Sequence, residues 1–167
     1  MNAAPVTIRP EGAEDISVIH ALTRRAFAQM PYADGDEQDL IDALRLAKAL
    51  SLSLVAECGG EVVGHIAFSP MTPKGWFALG PVSVEPALQR QGIGSALIRA
   101  GLGYVREAGA VGCALTGNPL YYQRFGFALD PAACPADQPP KYSMTHCFGS
   151  LRPSGPMAFH RLFNGLP

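Results

Sequence analysis

Residues 79–102 read LGPVSVEPALQRQGIGSALIRAGL, and this stretch decides the fold. Residues 79–84 are apolar and partly β-branched, the pattern of a buried strand. Pro86 blocks its extension, because proline has no N–H to give a ladder. A polar turn follows, Gln89-Arg90-Gln91-Gly92-Ile93-Gly94. The spacing then predicts a helix over 92–108, with Ile93, Ala96, Leu97, Ala100, Tyr104 and Ala108 along one face.

Gly92 and Gly94 lie where the turn becomes the helix. Without a Cβ they let another molecule approach the backbone. The first N–H groups of a helix lack internal partners and point outward at the positive end of the dipole. Together these features suit a phosphate, although Gly-x-Gly before a helix also occurs as ordinary turn chemistry. The third glycine of a dinucleotide-binding fingerprint is absent, and no G-x-x-x-x-G-K-[ST] loop occurs.

Upstream, a short strand is expected at Val6-Thr7-Ile8, ended by Arg9-Pro10. Asp15 is placed to cap the next helix, with Ile16, Ile19, Leu22, Ala26 and Phe27 inward. That helix stops near Met30-Pro31, and a turn-rich loop leads to a second helix over 36–49 carrying Leu40, Ile41, Leu44 and Ala47. Residues 52–58 and 61–69 read as strands joined by Gly59-Gly60, a two-residue turn that accepts positive φ at both positions. His65 lies inside the second strand and reads as a packing or surface residue, not a base.

Downstream, Gly109 ends the helix, and residues 111–116 form a second buried strand, parallel to the first by strand–helix–strand logic. Asn118-Pro119 is a capped helix entrance, and a short helix runs to Gly126. Beyond Asp130, prolines 131, 135, 139 and 140 break regular structure. Residues 141–148 look like a strand, and 156–163 like another strand or a closing segment.

Two motifs carry a family resemblance. Val-x-Pro-x-x-Gln-x-x-Gly-x-Gly, from Val84 to Gly94, resembles the acetyl-CoA motif of the GNAT acyltransferases, usually written Gln/Arg-x-x-Gly-x-Gly/Ala. Tyr122-Gln-Arg-Phe-Gly126-Phe resembles that family's Tyr-x-x-x-Gly-Phe. Asn118 precedes Tyr122 by four residues, closer than the usual spacing, as in the YhbS-type branch of bacterial N-acetyltransferases, which this segment resembles. The resemblance covers about residues 5–130 at the level of the fold and is motif-specific over 79–127.

The resemblance implies an α/β (in some schemes α+β) GNAT fold. It has a mixed central sheet of about six to seven strands, flanked by helices, whose two parallel strands splay apart. The implied activity is N-acetyltransfer from acetyl-CoA to a primary amine by direct attack, with no covalent enzyme intermediate and no metal. Backbone amides of Gln89, Arg90, Gln91, Gly92, Ile93, Gly94 and Ser95 would hold the pyrophosphate. Val82, Ser83 and Val84 would line the pantetheine arm, with a backbone N–H near Val82 polarising the thioester. Asn118 would lie on the adenine side. Tyr122 would protonate the leaving thiolate, and Tyr121 would pack. Tyr32 and Glu37, with Asp36, are substrate-side candidates, although acidic residues in a helix's first turn are favoured by the dipole anyway. No residue is assigned as the base that the amine acceptor needs; Glu85, which ends the central strand, reads equally as a solvent-facing residue, and Glu37 could act only through a chain of water. The alternative reading is a non-catalytic acyl-CoA sensor or interaction module on the same fold.

Composition narrows the remaining classes. The chain has 167 residues, enough for one domain with a sizeable core, and residues 1–167 are expected to form a single unit with a less family-like tail over 131–167 that shapes the acceptor pocket. A 48% apolar and 16% charged composition argues against disorder. Net charge −1 gives no global basic field for nucleic acid or anionic membrane. Cys58, Cys113, Cys134 and Cys147 form no C-x-x-C pair, which fits a reduced cytoplasmic setting. No signal peptide or membrane span is expected from residues 1–12 or from any apolar run. The expected partner is a small-molecule or peptide amine, and a homodimer is left open.

Overall fold

The computed structural model describes residues 4–166; residues 1–3 and 167, the ends of the expected unit, lie outside the described residues. In chain order the elements are β1 (Val6–Pro10), α1 (Ile16–Phe27), α2 (Glu37–Leu46), β2 (Leu52–Cys58), β3 (Glu61–Pro70) and β4 (Trp76–Val84). They continue with α3 (Ile93–Glu107), β5 (Gly112–Thr116), α4 (Pro119–Tyr122), β6 (Ala128–Leu129) and β7 (Ser143–Cys147). The strands form one mixed sheet of seven in the order β1-β2-β3-β4-β5-β7-β6, in which β4 and β5 are the parallel pair. Among the described residues no helix is long and apolar enough to cross a membrane.

Strand alternation gives the sheet two buried faces. On one, Leu54, Ile66, Phe68 and Met144 pack under Leu97 and Ile98 of α3. On the other, Val55 and Ala67 pack under Ile19 of α1 and Ile41 of α2. Farther along that face, Trp76, Ala78 and Ala114 are covered by Met157 and Ala133 of the tail.

The parallel pairing is short. Trp76, Phe77 and Ala78 match Gly112, Cys113 and Ala114, and there it ends. Each strand then follows its outer neighbour. β4 stays on β3 as far as Val84 opposite Gly64, across a register shift between Ile66 and Phe68. β5 is paired along its whole length by β7, from Gly112 opposite Cys147 to Thr116 opposite Ser143. A wedge therefore opens between the C-terminal ends of two parallel strands, where open α/β sheets bind ligands. The tail thus supplies a strand that shapes the sheet itself, beyond the pocket-lining role expected of it.

Several local expectations are corrected. β1 includes Arg9 and Pro10, which pair with Val55 and Leu54, since an edge strand tolerates proline. Asp15 does not cap α1 with its side chain; its carboxylate accepts from Gly12 N–H at 2.7 Å and from Arg9 at 2.7 and 3.2 Å. Ile16 is exposed and Phe27 half-buried, so α1 buries Ile19, Leu22, Thr23 and Ala26. α2 stops at Leu46 because Lys48 turns left-handed (φ 57°), leaving Ala47 outside the core. Residues 156–163 form a closing segment: Ala158 bridges Thr72, and a 3-10 turn follows at Arg161–Asn164.

The buried stripe of α3 is Ile93, Leu97, Ile98, Gly101, Leu102 and Val105; Tyr104 and Ala108 are exposed. Hydropathy passes over Gly101, yet it sits at the centre of the contact, where a Cβ would lie 2.7 Å from Cζ of the fully buried Phe68. Gly103, two residues on, has nothing within 4 Å. Substitutions in the same helix should therefore have opposite signs. Gly101→Val should destabilise by about 2 kcal/mol through overpacking. Gly103→Ala should stabilise by about 1 kcal/mol through helix propensity. Urea denaturation of both variants measures this directly.

Candidate active site

The wedge is lined on one side by backbone. Glu85 N–H donates to Val63 O at 2.8 Å, toward β3. Successive residues of a strand point their amides to opposite edges, so Ser83 faces β3 and the peptide groups of Val82 and Val84 face the wedge. Consistent with this, Val84 O accepts from Gln89 Nε2 at 3.1 Å across the turn. The Ser83 side chain is buried on the sheet and its hydroxyl has no protein partner.

The turn at the mouth of the wedge contains two left-handed residues, Arg90 (φ 63°) and Gly92 (φ 88°). This is the kind of backbone that gathers N–H groups into an anion-binding concavity. The first hydrogen bond of α3 runs from Ala96 N to Gly92 O at 3.0 Å, so the amides of Ile93, Gly94 and Ser95 precede any intrahelical partner. Arg90, Gln91 and Gly92 are exposed and Ser95 half-buried, while the Ile93 side chain is in the core and only its amide is available. A Cβ on Gly92 would meet nothing within 4 Å, which leaves open space above the cradle.

α4 closes the far side. Asn118 caps it, accepting from Leu120 N at 3.0 Å, and Pro119 occupies the first turn. Gly126 (φ 96°) ends the following turn. Adjacent residues on a helix point about 100° apart, so the two tyrosines have different surroundings. The Tyr122 ring lies against Gly117, with its centroid 6.1 Å from that of Phe127 and 6.3 Å from that of Phe125. Burial, with smaller contributions from Tyr121 and Tyr32, pushes the Tyr122 phenol up to about 12. Tyr32 is exposed on its loop, with its hydroxyl donating to the Met30 sulfur at 3.4 Å. Tyr121 packs against the core as expected, its ring 4.9 Å from that of Tyr122 and 5.3 Å from that of Phe125. Its hydroxyl also lies 3.6 Å from where a Gly94 Cβ would be, beside the cradle, with Arg124 4.8 Å above its ring. The Tyr-Tyr pair held that signal, since only one of two neighbours can face the same way.

The acidic candidates are engaged. Glu37 accepts from Asp34 N at 2.8 Å and Gly35 N at 3.1 Å, folding the loop onto the start of α2. Asp34, Asp36 and Glu37 bring carboxylate oxygens within 4.8 Å of one another, but those loop amides already occupy both Glu37 oxygens. Glu85 is held by Arg25 in a two-armed pair at 3.2 and 2.8 Å, tying α1 to the end of β4.

His65 is fully buried, with Nε2 2.8 Å from Ser53 Oγ, and burial pushes it down to about 4. The unfolded chain would protonate it near 6.5, so between those values the unfolded state holds more protons and stability drops as the pH is lowered. About 3 kcal/mol should be lost between pH 7.5 and pH 4. Asp15, lowered by Arg9, contributes in the separate window below its unfolded value near 3.8. Urea midpoints of the wild type and His65→Gln at pH 7.5 and 4.5 test this; the variant should lose much less stability on acidification.

Comparison with known proteins gives the same picture. The model described as "Acetyltransferase (GNAT) family" matches residues 17–127. The uncharacterized N-acetyltransferase YhbS of Escherichia coli K12 is 35% identical over 127 residues, covering 73% of each chain. A GNAT family acetyltransferase from Brucella melitensis, solved in complex with acetyl-CoA, superposes with a TM-score of 0.86 at 46% identity, covering 96% of this chain and 99% of that one. The structure of Escherichia coli YhbS in complex with CoA also superposes at 0.86, with 28% identity and coverage of 100% and 96%. Splayed parallel strands, a glycine-led helix cradle and a tyrosine before Gly-Phe thus occur together on a chain that belongs to the GNAT family of acetyltransferases.

Proposed function

We propose that the chain transfers an acetyl group from acetyl-CoA directly to a primary amine. The observation that carries this reading is the wedge, where β4 and β5 part after Ala78 and Ala114 beside the left-handed turn at Gly92 that opens α3, and the presence of Tyr122 on α4 supports it. The Brucella relative was solved with acetyl-CoA and YhbS with CoA, which supports the choice of donor.

The residues fit that donor. Amides 90–95 and the Arg90 side chain take the pyrophosphate. Val82 and Val84 pair with the pantetheine amides as a neighbouring strand would. When bound, acetyl-CoA supplies a thioester carbonyl as electrophile. The Val82 N–H stabilises negative charge on the carbonyl oxygen, and the Tyr122 hydroxyl protonates the departing sulfur. Asn118 Oδ1 serves as a helix cap, so this side chain orders α4 beside the adenine end. Tyr32 borders the acceptor side, and Glu37 holds the loop that carries it. With Glu85 and Glu37 both occupied, the amine proton leaves to solvent.

Calorimetric titration with acetyl-CoA, followed by an amine panel read by free-thiol release, tests the reading. Binding with amine-dependent thiol release is the expected result. Binding without release across primary amines, peptides and lysine side chains would favour the non-catalytic sensor. No binding would overturn the cradle.

A further inference from the structure

A second polar recess lies on the outer flank of α3, away from the wedge. It is an open groove of about 310 Å³ lined by Arg99, Leu102, Gly103, Arg106, Phe125 and His146. Arg99 and Arg106 are seven residues apart, about 10 Å along the helix and on one side of it. Their guanidiniums lie 5.0 Å above the Phe125 ring and 5.6 Å above the Phe148 ring, which holds both groups beside the groove. Among the described residues neither forms an ion pair, whereas Arg9, Arg25 and Arg45 all do. His146 is set by edge contacts to Phe127 (5.5 Å) and Phe148 (5.0 Å). Burial, then Arg106, lowers its pKa, so a neutral ring with one donor and one acceptor faces the groove.

Gly103 is the most informative member. A glycine inside a helix gives up about 1 kcal/mol relative to alanine. Gly101 earns its place against Phe68, but Gly103 has neither a positive φ nor any atom within 4 Å of a Cβ. The space it leaves empty belongs to the groove. Glycine also serves where a ligand approaches the backbone closely.

We propose that this groove is a second ligand site, taking a small aromatic molecule whose phosphate or carboxylate sits between Arg99 and Arg106 and whose ring lies over Gly103. The two oxyanions share the same chemistry toward paired guanidiniums. A volume near 310 Å³ matches a small ligand. The groove is separate from the amide cradle, since Gly103 lies ten residues, about 15 Å, along α3 from Ile93. It is nevertheless in touch with the catalytic side, because Phe125 lines it and lies 6.3 Å from Tyr122.

Calorimetric titration with phenyl phosphate, benzoate and inorganic phosphate tests this, with and without saturating CoA. At least one aromatic anion should bind at millimolar or lower concentration, equally well in both conditions. Tighter phenyl phosphate would identify a phosphate ligand, and tighter benzoate a carboxylate. Arg106→Gln and Gly103→Leu should each weaken binding about tenfold, and the melting temperature of Gly103→Leu should not fall. The proposal is overturned if neither variant weakens binding, if CoA displaces the probes, if inorganic phosphate binds as tightly as the aromatic anions, or if nothing binds. The CoA-free titration does not depend on the acetyltransferase reading.

Discussion

Gly92→Val is expected to weaken acetyl-CoA binding at least a hundredfold, about 3 kcal/mol, while the protein remains folded. The space above Gly92 is empty and its amide stands at the head of α3, so a branched side chain there occupies the approach of the pyrophosphate. The substitution also forces a β-branched residue into φ 88°, which carries its own penalty of about 1–3 kcal/mol. A matched control separates the two effects. Gly109 has φ 92° and nothing within 4 Å of a Cβ, but it lies at the other end of α3. Gly109→Val should lower the melting temperature as much as Gly92→Val and leave acetyl-CoA affinity intact. Equal affinity loss in both would trace the effect to helix strain, and retained tight binding by Gly92→Val would remove the cradle from the mechanism.

Tyr122→Phe is expected to lower kcat about a hundredfold, the range of a general acid, with acetyl-CoA affinity changed less than threefold. The phenol is pushed up to about 12, so it remains protonated across the working range and can donate throughout it. The sign of the pH dependence follows. In the wild type the rate should rise with pH as the acceptor amine deprotonates, with no falling limb from Tyr122 below about pH 10. Loss of the hydroxyl should hurt most with poor thiol leaving groups. Tyr121→Phe provides the contrast: its hydroxyl lies beside Gly94, so it should act on cofactor affinity with little effect on kcat. Unchanged turnover in Tyr122→Phe would exclude it as the acid.

Much of the site was legible because its chemistry is local. Pro86 ends β4, Gly92 starts α3 in a left-handed conformation and Asn118-Pro119 opens α4, each decided by the φ range and hydrogen-bonding capacity of one or two residues. The β2–β3 hairpin followed from Gly59 and Gly60, at φ 59° and 83°. The α3 stripe was misplaced by part of a turn because its central contact is a glycine, whose value lies in the Phe68 ring rather than in its own hydropathy.

The acidic residues show the same limit. Local sequence offers Asp15 as a helix cap and Glu37 as a substrate-side candidate, and gives Glu85 no partner. Their observed partners are Arg9, two loop amides and Arg25, and Arg25 lies 60 residues from Glu85 in the chain. The sequence by itself determined the strand–turn–helix that carries the cradle, because backbone conformation at proline, glycine and a cap depends on neighbours in the chain. Only the tertiary structure decided the wedge, since β4 and β5 pair only from Trp76 to Ala78 while each keeps its outer neighbour, β3 or β7, beyond that point. It also decided that the Tyr121 hydroxyl lies beside Gly94 while the Tyr122 ring lies against Gly117, and which carboxylates are occupied, because a side chain's partner is set by packing between elements that the chain order leaves open.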